Sequence, residues 1–331
     1  MVVGAGISGI ACARALVDAG LPVQVLDRGR AIGGRMASRR LPRTSGADTG
    51  GHITDIGASY FTARDPAFVA EVEGLILSGV VRAWTDAFEV FQEGRRVGRR
   101  AGPMRYAAPR GLRSVVEALA VGLPVTSSTE VGEVHLDASG TIEVDGLEVE
   151  AVALCMPGPQ AERLLAGTSG SVRSIRQAAL GVPWEPVIAV AAGFEAVSWE
   201  PFDGMFVNED PTLTWVADDG ARRANGAAVL VGHVTPALAE AHLAEPDRVR
   251  EPAVAAMRRV LAIDAEPIWV DVQRWTFARP TGASDAAYYL DSELAVGLAG
   301  DAWSAGPRVE AAWCSGRALG QSIAQRLDGR R

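Results

Sequence analysis

The sequence predicts an α/β protein in which a mostly parallel, doubly wound sheet is interleaved with a second, α+β unit carrying a mostly antiparallel sheet. Two observations carry this prediction. The chain opens with a short apolar strand, a glycine-rich turn and a helix of small residues, as a βαβ unit does. From about residue 169 to residue 285 the pattern changes to long apolar and alternating runs, which are typical of antiparallel strands.

The opening turn has the spacing G-x-G-x-x-G between the strand remnant 1–3 and a helix predicted over 7–19. In this arrangement the first glycine makes a tight turn, the second lets a diphosphate approach the backbone, and the third lets the helix pack closely on the strand. The diphosphate would sit on the free N–H groups at the start of the helix. The predicted phosphate-binding residues are Gly4, Gly6, Ile7, Ser8 and Gly9.

A second strand, predicted over 22–26, ends on Asp27, whose carboxylate can accept a hydrogen bond from a ribose hydroxyl. A second glycine turn follows at Gly33-Gly34-Arg35-Met36. Plain NAD domains are not expected to have such a turn. In FAD enzymes of the glutathione-reductase and amine-oxidase type, which the sequence resembles, a similar turn contacts the diphosphate, so FAD is favoured over NAD. The alternative is a glycine-rich turn without a ligand.

Between residues 41 and 165 the sequence predicts further loops, strands and helices. A polar loop is expected over 41–52, and the run 53–61 suggests backbone packed on a flat ligand or, alternatively, an ordinary strand-to-turn connection. Pro66, after Asp65, is expected to begin a helix. Further predictions are strands over 80–97 turning at 93–94, helices over 112–120 and 160–165, a hairpin over 141–149, and a buried strand over 151–156.

From residue 180 onward, the sequence predicts the strands and helices of the second unit and then the last elements of the first. Strands are expected over 180–194, 204–216, 225–233 and 268–277, with a helical region over 236–261 broken at Pro246. A strand over 294–298 then leads through Gly300-Asp301 to a final helix. We therefore expect an FAD-binding domain made of 1–65, 104–165 and 285–331, and a substrate-binding domain made of 66–103 and 166–284.

Composition excludes several classes of protein. With 331 residues, 48% of them apolar and 22% charged, the chain reads as a globular protein with two lobes. A net charge of −8 disfavours nucleic acid as a partner. All 32 basic residues are arginine, so no mechanism here can use a lysine. Three cysteines without a C-x-x-C pair, four scattered histidines, no long apolar run and no signal peptide favour a cytoplasmic protein without a metal site or a membrane span.

The closing segment, GLAGDAWSAGPRVEAAWCSGRALG, carries a family resemblance together with the turn 33–36 and the runs 55–61 and 274–280. These segments resemble the bacterial renalase-type FAD oxidoreductases, a branch of the amine-oxidase superfamily, and the resemblance covers almost the whole chain. It implies a p-hydroxybenzoate-hydroxylase-like FAD domain with an interleaved substrate domain. The chain departs from the family between 215 and 225, where Ser-Lys-Pro-Gly is replaced by residues 218–223, DDGARR.

The resemblance implies roles for individual residues. Asp27 and Arg28 would lie at the adenosine, and the backbone of Val131 at the adenine. Gly34, Arg35 and Met36 would hold the diphosphate and ribityl chain, Gly300 and Asp301 the ribityl side, and Val309, beside Arg308, would offer its N–H to the flavin pyrimidine. Further cofactor candidates are Gly57, Ala58, Ser59 and Met156. Tyr60, Trp275, Phe277 and Arg274 are the candidates for the substrate side, and core packing remains the alternative for Trp275 and Phe277.

The implied activity is an oxidase with non-covalent FAD that takes a hydride from a small molecule and is reoxidised by O2. The renalase-type substrates would be isomeric dihydro-NAD(P) molecules, which are anionic and would suit pocket arginines such as Arg274, Arg279 or Arg308. Two alternatives stay open: a flavin oxidase or dehydrogenase acting on an amine or a biosynthetic intermediate, and a non-catalytic FAD-binding protein. The sequence predicts no oligomeric state.

Overall fold

Two large sheets organise the protein. The computed structural model describes residues 1–41, 51–137, 139–166, 170–282, 284–303 and 306–329. Within them lie a six-stranded, mostly parallel sheet and a seven-stranded, mostly antiparallel sheet. The predicted fold class is confirmed. None of the helices in these ranges combines the length and apolar character needed to cross a membrane.

The elements follow in chain order. The strands are β1 (Val2–Val3), β2 (Val25–Leu26), β3 (Ser38–Leu41), β4 (His52–Asp55), β5 (Arg82–Gln92), β6 (Arg95–Ala107), β7 (Val125–Thr126), β8 (Val134–Leu136), β9 (Ile142–Val144), β10 (Leu147–Val149), β11 (Val152–Leu154), β12 (Leu165–Ala166), β13 (Trp184–Gly193), β14 (Gly204–Val207), β15 (Leu213–Asp218), β16 (Val229–Val234), β17 (Trp269–Pro280), β18 (Tyr289–Leu290) and β19 (Val296–Leu298). The α-helices are α1 (Ile7–Asp18), α2 (Pro66–Leu77), α3 (Arg113–Leu119), α4 (Gly158–Leu164), α5 (Gly170–Leu180), α6 (Asp219–Arg223), α7 (Pro236–Ala241), α8 (Arg250–Leu261) and α9 (Val309–Asp328), and 3₁₀ turns lie at Gly34–Met36 and Pro246–Val249.

The six-stranded sheet places both ends of the chain together. Its order is β18-β19-β11-β1-β2-β7, so that β1 lies in the middle, parallel to β11 and β2. The strands are short and apolar because helices cover the sheet, as is usual for parallel sheets. Helices α1 and α9 approach backbone to backbone: a Cβ on Gly316 would lie 1.9 Å from the Ser8 carbonyl oxygen. The first and last helices are therefore packed against each other.

The seven-stranded sheet forms the second unit, in the order β17-β13-β16-β15-β14-β5-β6. One face packs on α8 through an apolar core that includes Ile188, Met205 and Met257. Alternate strand residues point to opposite faces. On the other face Val231 and Ala191 contact Leu41 of β3, which belongs to the two-stranded sheet β3-β4. This second face therefore looks towards the first unit.

Several predicted elements are confirmed. Helix α2 begins at Pro66, and the Asp65 side chain accepts hydrogen bonds from the backbone N–H groups of Ala67 and Phe68. Strands β5 and β6 turn at 93–94, and the helical region after residue 236 is interrupted around Pro246. Of the loop expected over 41–52, residues 42–50 lie outside the described part of the chain.

Other predicted elements were wrong in type or extent. The strand expected over 180–194 begins only at Trp184, because α5 occupies 170–180 with its apolar residues Val172, Ile175 and Ala179 on one helical face. The strand expected over 204–216 is the hairpin β14-β15, since the Asp210 carboxylate accepts from two backbone N–H groups and makes a turn. The strand expected over 22–26 is reduced to β2.

The packing also bears on the expected domain division. Phe68 and Val72 of α2, and Val172 and Ile175 of α5, lie in the core of the first unit, although residues 66–103 and 166–284 were expected in the second. Strand β6 continues to Ala107, beyond the expected boundary at 103. These contacts shift the boundaries between the two units and leave the number of crossings between them as expected.

The contact between α1 and α9 predicts opposite effects for two Gly→Ala substitutions. Gly316→Ala should destabilise the protein by about 1–3 kcal/mol, because the new methyl group meets the Ser8 carbonyl. Gly74→Ala, in the exposed part of α2 where a Cβ has no neighbour within 4 Å, should stabilise it by up to about 1 kcal/mol through helix propensity. Urea unfolding of both variants measures the difference, and equal midpoints would contradict the proposed close packing.

Candidate cofactor and substrate site

The opening glycine turn is shaped by backbone contacts that leave no room for a side chain at Gly4 or Gly9. Gly4 has a φ of +100°, and a Cβ there would lie 2.6 Å from the Cys155 carbonyl oxygen. A Cβ on Gly9 would lie 1.8 Å from the Gly4 carbonyl oxygen. Gly6 caps α1 without a side-chain hydrogen bond, and a Cβ there would meet nothing within 4 Å. The start of α1, with Ile7 and Ser8 in its first turn, therefore faces open space with its N–H groups unused by a cap.

Asp27 is held at the end of β2 by two backbone N–H groups. Its Oδ2 accepts from Ala5 at 2.6 Å and its Oδ1 from Gly29 at 2.7 Å. A carboxylate has about four lone-pair sites, so these bonds leave capacity for a ribose hydroxyl. Arg28 beside it is exposed, whereas Val131 is buried in the core of the first unit.

The second glycine turn faces the first one. A Cβ on Gly34, which has a φ of +53°, would lie 3.4 Å from the Gly6 Cα. The Gly33 N–H donates to the Ala5 carbonyl at 2.9 Å, which fixes the two turns together. Met36 is buried beneath the second turn.

The run 57–59 lies along the second turn. The Ala58 N–H donates to the Arg35 carbonyl at 2.9 Å, and a Cβ on Gly57 would lie only 2.1 Å from that same oxygen. Ser59 follows with its hydroxyl buried. The run 57–59, for which the sequence suggested backbone packed on a flat ligand, therefore lies next to the turn 33–36, which was predicted to contact the cofactor.

Arg35 and Asp301 join the two ends of the chain. Their side chains form two parallel bonds, Nη1 to Oδ2 at 2.8 Å and Nη2 to Oδ1 at 2.6 Å. Arg35 also donates to the Ala278 carbonyl at 2.9 Å, and its guanidinium lies 5.1 Å from the centre of the Trp184 ring. Sequence reasoning assigned both residues to the cofactor separately, whereas the structure pairs them with each other and with β17.

The start of α9 completes this side of the site. The helix has Arg308 as its N-cap, without a side-chain hydrogen bond to the helix, and begins at Val309. Glu310 is buried and accepts from the backbone N–H groups of Arg64 and Asp65. Gly300 donates to the Ser315 hydroxyl at 3.1 Å and, with Met156, lines a small cavity.

These features fit FAD. Two helix N-termini lack a side-chain cap, and two glycine turns present bare backbone to each other. Free N–H groups at a helix start bind phosphate and other negative charge. The residues between them belong to both ends of the chain, as an elongated dinucleotide requires.

The substrate side shows which aromatic candidates come together. The Trp275 indole N–H donates to the Ile56 carbonyl at 2.6 Å, and the ring lies 3.3 Å from the Cβ position of Gly57. Phe277 lies two residues further along β17, where the pairing with β13 is irregular, and the Arg163 guanidinium is 5.7 Å from its ring centre. Arg274 points to the opposite face, is exposed, and donates to the Leu243 carbonyl at 2.6 Å. The structure thus brings Trp275 to the Gly57 run and places Arg274 away from it.

Tyr60 belongs to an aromatic cluster on the inner face of the seven-stranded sheet. Its ring centre lies 5.1 Å from that of Phe88, 5.8 Å from that of Trp215 and 6.3 Å from that of Trp84. Phe206 packs on Phe88 and Trp215. Burial raises the pKa of Tyr60, and the neighbouring Arg105 opposes this rise. The cluster, defined as Tyr60, Trp84, Phe88, Phe206 and Trp215, forms the wall that continues from Gly57.

Sequence reasoning missed a cluster of four buried charges. Asp219 pairs with Arg222 and, at 2.8 Å, with Arg223. Arg223 also lies 2.8 Å from Asp55 of β4, and Arg222 donates to the Ser59 carbonyl at 3.0 Å. Burial disfavours the charge on Asp219, but Arg222 and Arg223 hold its pKa well below the usual range. The signal was present in DDGARR, where an acid precedes two arginines by three and four residues.

His233 was also missed. It lies opposite Trp215 in the β15-β16 pair, and its Nε2 is buried without a hydrogen-bond partner among the described residues. Burial and, after it, the charges of Arg222 and Arg279 lower its pKa to about 4, whereas a hydrogen bond with the Gly57 backbone opposes the shift. A lone histidine in an alternating strand gives no sequence signal for this position.

The low pKa of His233 predicts a pH-dependent stability. The unfolded state binds the proton at a pKa near 6.5 and the folded state only near 4. Unfolding therefore becomes easier as the pH falls from 6.5 to 4, by up to about 3 kcal/mol from this group. His233→Gln should flatten the fall in unfolding free energy across this window, measured by urea unfolding at several pH values. His135→Gln, at an exposed position, is the control, and an unchanged slope in His233→Gln would contradict the assignment.

Comparison with known proteins places this site in a family. The family model for flavin containing amine oxidoreductases matches residues 78–321, and the NAD(P)-binding Rossmann-like domain matches residues 2–71. The fold is similar to that of a putative protoporphyrinogen oxidase from Exiguobacterium sp., at 15% identity and a TM-score of 0.73, over 100% of this chain and 98% of that chain.

Two amine oxidases have similar folds. Cyclohexylamine oxidase from Brevibacterium oxydans is 16% identical, with a TM-score of 0.72, over 99% of this chain and 98% of that one. Putrescine oxidase bound to putrescine is 17% identical, with a TM-score of 0.69 and the same coverage. At these identities the structural likeness shows the fold alone. The family model covers most of the chain, and the chain belongs to the flavin-containing amine oxidoreductase family, whose members use a flavin cofactor.

Proposed function

We propose that the protein is a renalase-like oxidase that takes a hydride from isomeric dihydro-NAD(P) to non-covalently bound FAD, with reoxidation by O2. The observation that carries the proposal is the set of residues on the substrate side of the site, which we call the substrate wall: the run 57–59, Trp275 and the aromatic cluster. Tyr60 and Trp275 flank the run 57–59 with flat aromatic faces, and no lysine exists anywhere in the chain. A dihydropyridine is already an activated hydride donor, so its oxidation needs stacking and positioning rather than an amine-activating base.

The chain's own residues have separable roles in this proposal. When bound, FAD supplies the redox chemistry by accepting the hydride. Trp275 is fixed by its bond to the Ile56 carbonyl and offers a rigid surface beside Gly57. The start of α9 at Val309 would stabilise negative charge on the pyrimidine part of a bound flavin. The Arg35–Asp301 pair holds the segments from both chain ends at a fixed separation.

Amine oxidation is the second candidate. It is supported by the family and by the similarity to proteins named as putrescine and cyclohexylamine oxidases. Against it, flavin amine oxidases commonly keep a lysine that contacts the reactive flavin nitrogen through water, and this chain has none. A third candidate, a non-catalytic FAD-binding protein, differs from both in that no donor would reduce its flavin.

An anaerobic donor test separates the three candidates. The oxidised holoprotein is mixed with 6-dihydro-NAD(P), 2-dihydro-NAD(P), ordinary NADPH, putrescine and cyclohexylamine, and flavin absorbance is followed in a stopped-flow instrument. Rapid bleaching by the 6-dihydro or 2-dihydro isomers alone is expected. Unlike the amines they are anionic dihydropyridines, and unlike ordinary NADPH they carry the hydride on a ring carbon other than C4, so that a site positioned for that carbon does not accept hydride from NADPH. Bleaching by an amine alone would support the second candidate, and no bleaching by any donor the third.

Non-covalent attachment has its own check. The three cysteines are free thiols, and two of them, Cys12 and Cys155, lie under the opening turn rather than along the substrate wall. Precipitation with hot acid should therefore release the flavin into the supernatant. Flavin that stays with the precipitate would show a covalent bond.

A further inference from the structure

Arg105 is a buried cation without a counter-ion in the described part of the chain. Its side chain is 7% exposed, and its Nη1 has no hydrogen-bond partner there. Its guanidinium lies over aromatic rings instead, 4.1 Å from the centre of Phe88 and 5.9 Å from that of Tyr60. The other deeply buried arginines, Arg222 and Arg223, both pair with Asp219. Within the described ranges, Arg105 therefore differs from these two arginines, because it is shielded from water and has no anionic partner.

A cation buried in this way is poorly compensated. Aromatic faces attract a guanidinium, and the Tyr60 hydroxyl also interacts with Arg105 as a neutral acceptor, but neither supplies a negative charge. A buried charge normally needs both a partner of opposite sign and acceptors for its N–H groups. Arg105 is therefore a charged hydrogen-bond donor, and the group that would compensate it best is an anionic oxygen.

The backbone directs Arg105 to the substrate side. Phe61 and Tyr106 form an antiparallel bridge, with hydrogen bonds of 3.2 Å and 2.8 Å between their backbones. Their chain neighbours Tyr60 and Arg105 consequently point to the same side of the bridge. Tyr60 directly follows the run 57–59, which lies along the Arg35 turn and contacts Trp275. Arg105 and the cofactor segment are thus parts of one wall.

Two further donors in the aromatic cluster lack partners. The indole nitrogens of Trp84 and Trp215 are buried, and neither has a hydrogen-bond partner in the described ranges. Both rings lie within 6.3 Å of the Tyr60 ring, centre to centre. Together with Arg105 they present N–H donors among flat aromatic faces. A planar ligand with anionic oxygens matches this set, whereas an ammonium group would meet a like charge.

We propose that Arg105 binds an anionic oxygen group of the substrate, a carboxylate or a phosphate, and that the aromatic cluster packs against the ring next to it. Arg105 is then a specificity-determining residue that selects anionic aromatic donors over cationic amines. This inference rests on the proposed function, which it deepens by naming the charge of the substrate group: in a dihydro-NAD(P) donor the anionic oxygen belongs to a phosphate, because the ring carries a neutral carboxamide. Its test uses equilibrium binding and so does not depend on turnover.

The experiment measures binding of four probes to the oxidised holoprotein through flavin absorbance and tryptophan fluorescence. Nicotinate and phenyl phosphate are aromatic anions, benzamide is neutral, and benzylamine is an aromatic cation. The wild type should bind the anions about tenfold to a hundredfold more tightly than benzylamine. Tighter binding of phenyl phosphate would assign the site to a phosphate group, and tighter binding of nicotinate to a carboxylate. Equal affinities for nicotinate, phenyl phosphate and benzylamine would overturn the proposal.

Variants test whether Arg105 causes the preference for anionic probes. Arg105→Met should remove the preference for anions and leave benzamide binding unchanged, and Arg105→Lys should restore part of it, because an ammonium keeps the charge without the planar fork. Arg95→Met is the matched control, since Arg95 is exposed on the same strand about 30 Å away. An anion preference that survives in Arg105→Met would overturn the proposal.

A second variant keeps the proposal testable if Arg105→Met fails to fold or loses its flavin. Trp84→Phe keeps a ring and removes one N–H donor, so anion affinity should fall about threefold to tenfold. Unchanged anion affinity in Trp84→Phe would also count against the site. If the anions bind as expected while no dihydronicotinamide bleaches the flavin, the proposed function fails and the assignment of Arg105 stands.

Discussion

Four buried charges hold the two units of this protein in register. Asp55 belongs to the strand pair of the first unit, and Asp219, Arg222 and Arg223 belong to α6 at the end of β15. Two positive and two negative groups cancel, and each is less than 3% exposed. Removing one partner of such a set leaves an unpaired buried charge, which costs about 3–5 kcal/mol. The cluster therefore tolerates only one relative position of the two units.

The substrate wall depends on that position. Arg222 binds the Ser59 carbonyl and Arg223 the Ala108 carbonyl, while Asp55 accepts from the Leu112 N–H at 2.8 Å. These bonds fix the backbone on both sides of the Phe61–Tyr106 bridge, from which Tyr60 and Arg105 project. The segment in which the chain departs from renalase-type sequences is thus the one that supports the wall, and its DDGARR residues act through backbone carbonyls rather than by pointing at a substrate.

Features with local physical causes could be predicted from the sequence. The opening turn was recognisable because Gly4 and Gly9 lie against backbone atoms that leave no room for a side chain. The start of α2 was recognisable because the Asp65 carboxylate accepts from two free N–H groups and Pro66 has no N–H that needs a partner. Features that depend on distant partners could not. Nothing local marks His233 as the histidine whose proton is displaced by burial, and Arg105 is one of five arginines in β6, distinguished only by the rings above it. Helix α5 was missed, and the strand after it was expected to begin at residue 180 instead of Trp184, because short apolar runs suit both helix and strand.

The central place of β1 in its sheet has a consequence for synthesis on the ribosome. Its neighbour β2 follows soon after it, but its other neighbour is β11, and β19 lies beyond that. The start of α1 is therefore translated long before the Asp301 turn and α9 that face it across the site. In a nascent chain one edge of β1 lacks its partner until β11 has been made, somewhat before the middle of the chain, and the start of α1 lacks the elements that face it until Asp301 and α9 follow. A complete flavin site on this protein therefore requires the last helix of the chain.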